Sequence, residues 1–84
     1  MAKAAFRADD GAVLSQREMD VLHLMAEGAS NQAIAERLVI TVGTVKSHIN
    51  HILNKLNASN RTAAVARARQ LGWLDIKDNP VLVN

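Results

Sequence analysis

Apolar side chains return at helical spacing in three stretches of the chain, and the clearest runs from Thr41 to Leu56. Val45, Ile49, Ile52, Leu53 and Leu56 fall on one side of a helix, which places Gly43, Ser47, Asn50, His51 and Asn54 opposite. Lys46, His48 and Lys55 flank that polar side. An earlier stretch opens on Leu14-Ser15 and carries Glu18 three residues after the serine, so Ser15 and Glu18 form a capping box while Leu14 staples onto Met19. This predicts a first helix over about 16–27, with Leu22, Met25 and Ala26 inward and Gly28 as a left-handed stop. Ser30 caps a short second helix over 31–38, whose apolar side is Ile34, Ala35 and Leu38. Val39-Ile40 breaks the period before Thr41 caps the third helix, so two helices are joined by about three residues, the pattern of a helix-turn-helix or of a plain helical hairpin. A fourth helix covers about 61–71, before Gly72, and is rich in small residues from Ala63 to Ala68. Trp73, Leu74 and Ile76 are expected to fold back over the core. The fold class is therefore all-α, a four-helix bundle containing a helix-turn-helix.

Domain count and compartment follow from bulk properties. The 84 residues, 49% of them hydrophobic, suffice for one small domain, here 14–76. Residues 1–13, with Asp9-Asp10-Gly11, read as a flexible arm or linker remnant, and 77–84 as a loose tail. There is no cysteine, so neither disulfides nor thiolate metal sites are expected. No apolar run reaches the roughly 20 residues of a membrane span, and a soluble, cytoplasmic protein without membrane contact is expected.

Charge changes the picture more by placement than by amount. The net value is only +2, yet residues 31–74 hold Arg37, Lys46, Lys55, Arg61, Arg67 and Arg69 against Glu36 alone. The polar side of the third helix has no acid at all, unusual for an ordinary solvated face and suited to phosphates. Gly43 carries a local cost of about 1 kcal/mol against alanine. It is tolerable in the first turn if the backbone there must come close to something.

Other chemistries find less support. His48 and His51 are three apart, but no cysteine or convergent carboxylate completes a metal site. His23 reads as a surface or boundary residue. Ser15, Ser30, Ser47 and Ser59 are better explained as caps or groove contacts than as nucleophiles, so no enzyme and no cofactor are expected. Phe6 and Trp73, the only aromatic residues, lie outside the basic stretches, which disfavours single-stranded RNA.

Leu14-Ser-Gln-Arg-Glu18, Gly28-Ala-Ser-Asn31, Ile34-Ala-Glu-Arg-Leu38, Thr44-Val-Lys-Ser-His48, Lys55-Leu56 and Arg61-Thr-Ala-Ala-Val65 together resemble the LuxR/GerE-type (NarL/FixJ) helix-turn-helix domain of bacterial transcription regulators. The resemblance covers about 14–74. Asn60-Arg-Thr-Ala-Ala-Val-Ala-Arg-Ala-Arg looks most like the C-terminal domain of large, ATP-binding, maltose-regulator-like members. The resemblance implies a domain that binds double-stranded promoter DNA as a homodimer, with the third helix, about 42–56, in the major groove. It places Lys46, Ser47 and Asn50 at base edges, and Asn31, Thr44, His48, Lys55 and Arg61 at the DNA backbone. The fourth helix, through Ala64, Val65 and Ala68, would join the two copies, and RNA polymerase is a candidate partner. Asn50 stands where some members carry a basic residue, so their operator preference does not transfer. The competing expectation is a helical protein-interaction module lacking DNA affinity.

Overall fold

The computed structural model describes residues 6–7 and 13–74. Four helices account for most of this: α1 (Gln16–Ala26), α2 (Asn31–Leu38), α3 (Val42–Leu56) and α4 (Arg61–Gln70). Two short strands precede them, β1 (Phe6–Arg7) and β2 (Val13–Leu14), paired antiparallel with Phe6 opposite Leu14 and Arg7 opposite Val13. This ribbon has no counterpart in the sequence pattern, because two-residue strands are too short to show a period of two. Ile76 and the proposed tail lie outside the described residues.

Each helix begins where a side chain satisfies an amide that has no partner within the helix. Ser15 Oγ accepts from the Glu18 amide at 3.1 Å while the Ser15 amide donates to Glu18 Oε1 at 3.0 Å, closing the capping box. Ser30, Thr41 and Asn60 accept in turn from the amides of Ala33, Thr44 and Ala63. Left-handed residues close the helices: Gly28 follows α1, Val39 ends α2, Asn57 ends α3 and Gly72 follows α4. Glycine and asparagine take this conformation readily. Val39 does not, being β-branched, and it sits at φ 59° with 87% of its surface exposed, at the turn that joins α2 to α3.

α3 is the central element, packed against α1, α2 and α4. Its Val45, Ile49, Ile52 and Leu56 are buried, together with Leu14, Met19, Val21 and Leu22 from the first segment and Ile34 from α2. Leu14 and Met19, the two ends of the predicted staple, are both 1% exposed. Leu74 is buried and Trp73 packs partly against the core, as expected of a segment that folds back over it. With one side of α3 committed to this core, its other side is fixed in orientation and open.

Candidate nucleic-acid interface

The open side of α3 consists of Gly43, Ser47, Asn50 and Asn54, spaced by four, three and four residues and all exposed. Lys46 lies beside this stripe, also exposed, and pairs with no acid among the described residues. The first turn of α3 contains no acidic residue. Thr44 is exposed at the start of the helix, with its hydroxyl 3.0 Å from that of Thr41. His48 is half-buried on the flank.

Four of the residues selected from sequence meet in one shallow groove: Asn31 from α2, Lys46 and Asn50 from α3, and Arg61 from α4. Its floor is Ile49 and Leu53, and Asn60 completes the rim. Arg61 is held rigidly there. One guanidinium nitrogen donates to Asn31 Oδ1 at 2.9 Å and another to the Ala29 carbonyl at 2.8 Å, locking the start of α4 to the α1–α2 turn. Both acceptors are neutral, so the arginine keeps its positive charge uncompensated while losing its freedom to swing. Asn31 thus orients Arg61 through its side-chain oxygen, while its amide N–H groups are the ones a phosphate could accept from.

Lys55 has a different setting from the one expected of a simple phosphate contact. Its Nζ donates to Glu18 Oε1 at 2.8 Å, joining the end of α3 to the first turn of α1. Glu18 is only 5% exposed, and His51 Nδ1 stands 3.6 Å from its other oxygen. Burial pushes the Glu18 carboxyl upward, but the Lys55 hydrogen bond, the Ser15 amide and the charges of Lys55 and His51 together hold its pKa below the ordinary 4.5. No sequence signal pointed to this pair, whose members are 37 positions apart. Glu18 was recognisable only as half of a capping box.

Comparisons with known proteins bear on the family and the fold. The family described as bacterial regulatory proteins, luxR family, matches residues 12–68, which takes in α1, α2, α3 and most of α4. The chain belongs to this luxR family. The LuxR-type domain is 43% identical over 65 residues to the transcriptional regulatory protein DegU of Brevibacillus brevis, covering 77% of this chain and 28% of that protein. It is 49% identical over 57 residues to the transcriptional regulatory protein LiaR of Bacillus subtilis (strain 168), covering 68% and 27%. The solved structure of the transcription factor GerE superposes with a TM-score of 0.71 at 32% identity, covering 75% of this chain and 94% of that one. The chain therefore spans less than a third of the length of these two regulatory proteins but nearly all of GerE.

One expectation for the LuxR-type domain needs correction. Ala64 and Ala68, assigned from sequence to a contact between two copies, are 0% exposed, sealed against the domain's own core. Small side chains let α4 approach its neighbours closely, and that close packing uses them up. Val65 is half-buried, and Thr62, Ala66, Arg69 and Gln70 are the exposed side chains of α4.

Proposed function

We propose that this chain binds duplex DNA sequence-specifically at promoters, in the cytoplasm, and thereby positions a transcription regulator for action on RNA polymerase. The observation that carries the reading is the acid-free stripe of α3, fixed outward by a buried opposite face and bordered by the groove of Asn31, Lys46, Asn50 and Arg61. α3 enters the major groove, with Lys46, Ser47 and Asn50 directed at base edges. Arg61, Thr44 and His48 meet the phosphates, Asn31 orients Arg61, and Lys55 serves chiefly to anchor α3 to α1. Two copies associate through Val65 and Ala66 of α4.

Phosphate contacts set position and base contacts set sequence, so the two groups respond differently to mutation. A duplex selected by the protein from a random pool provides the substrate. On single-base variants of that duplex, Asn50→Ala is expected to lose about 1–3 kcal/mol of discrimination at one base pair and to keep its preferences elsewhere. Equal weakening at every position would remove Asn50 from the base-reading set. Binding of no duplex at all would favour the protein-interaction module.

A further inference from the structure

Gly43 is the one described glycine for which the fold gives no reason. Gly28 and Gly72 adopt φ of 87° and 79°, where a side chain is strained, but Gly43 has no positive φ and lies within the first turn of α3. A Cβ built there would have Thr41 Oγ1 as its nearest neighbour, at 3.9 Å, an ordinary contact. Nothing in the protomer requires the side chain to be missing. A helix interior loses roughly 0.5–1 kcal/mol by holding glycine where alanine would fit, and a first turn bears part of that cost. Such a cost without an internal reason points outward, and Gly43 is exposed.

The rest of the stripe has the same direction. From the end of α3 toward its start the outward side chains are Asn54, Asn50, Ser47 and Gly43: two amides, a hydroxyl, then none. The ridge tapers over about 16 Å, the rise of eleven helical residues. A surface of this shape fits a partner that is nearer the helix axis at the Gly43 end than at the Asn54 end.

We infer that Gly43 is a positioning residue for DNA, the point where the duplex comes closest to the α3 main chain, and that its bare Cα sets the depth and tilt at which α3 seats. This rests on the duplex-binding reading above. Added bulk at Gly43 lifts the start of α3 out of the groove and draws Ser47 and Asn50 away from the base edges. The same bulk at Asn54 meets only the wider end of the gap.

The experiment uses the full chain and its selected duplex, with a thermal melt and a binding titration on each variant. Gly43→Ala is expected to melt higher than the unaltered protein and to bind roughly tenfold or more weakly, the usual scale of an overpacked contact. Gly43→Leu should bind more weakly again. Asp20→Glu, which also adds one carbon but on α1, away from the α3 stripe, should stay within about twofold, too small a change to mark a close contact. A Gly43→Ala variant that melts higher and binds the duplex as tightly as the unaltered chain would overturn the inference while leaving the DNA-binding reading intact. Failure of the unaltered chain to bind any duplex would overturn both.

Discussion

Duplex affinity should fall roughly a hundredfold when monovalent salt is raised from about 50 to about 200 mM, provided two copies bind together. The size follows from which cations remain uncompensated. Lys46 pairs with no described acid, and Arg61 is bonded only to neutral oxygens, so each copy brings two full positive charges to the interface. Lys55 is excluded because Glu18 already balances it. Lys46, although directed at a base edge, lies among the phosphates and displaces counterions as Arg61 does, so four cations give a log–log slope of about −3.6, against about −1.8 for a single copy, for which the same change in salt costs only about tenfold. An equilibrium titration at several salt concentrations therefore reports both the electrostatic contact and the number of copies. Lys46→Ala should lower the slope by about 0.9 per copy. A slope near zero would mean that phosphates are not the partner.

Lys55→Ala should destabilise the fold by about 1–3 kcal/mol at neutral pH, because it leaves the nearly buried Glu18 charge without its main partner. The value lies below that for breaking a fully buried pair, since the Lys55 side chain is 34% exposed and His51 remains near the carboxylate. The pH dependence supplies a sharper signature. In the unaltered protein the folded-state pKa of Glu18 is depressed, so its contribution is complete above the unfolded value near 4.5 and is lost as pH falls through the folded value. Without Lys55 the largest influence left on Glu18 is burial, which raises its pKa, and that share of the acid sensitivity shrinks or reverses. Thermal melts of the two proteins should therefore converge as pH drops from about 6 to about 3. A constant gap across that range would mean that Lys55 stabilises by packing its aliphatic stem and not by its charge.

The contrast between Lys46 and Lys55 shows what one chain of letters can and cannot convey. Helix positions were legible because their signals are local. Ser15, Ser30 and Thr41 cap helices within three residues of themselves, and the spacing of Val45, Ile49, Ile52 and Leu56 alone decides which side of α3 is buried. The outward stripe followed at once as its complement. Partnerships across the fold were not legible. Glu18 with Lys55, and Arg61 with Asn31 and the Ala29 carbonyl, depend on how α1, α2 and α4 pack around α3. Ala64 and Ala68 illustrate the same limit: in a helix made largely of alanine, hydrophobic period carries almost no information about which face is inward. The positive φ at Val39 was equally hidden, since nothing local about valine favours that conformation.

The central claim is that the exposed stripe of α3 is the surface that meets duplex DNA. Its most direct test is a titration of isotope-labelled protein with the selected duplex, following backbone amide resonances residue by residue. The largest changes are expected at Gly43, Lys46, Ser47 and Asn50, with smaller ones at Arg61 and Asn31 and little at Thr62, Val65 or Ala66 beyond the effects of pairing two copies. Silent α3 amides, with the changes concentrated on α4, would contradict it.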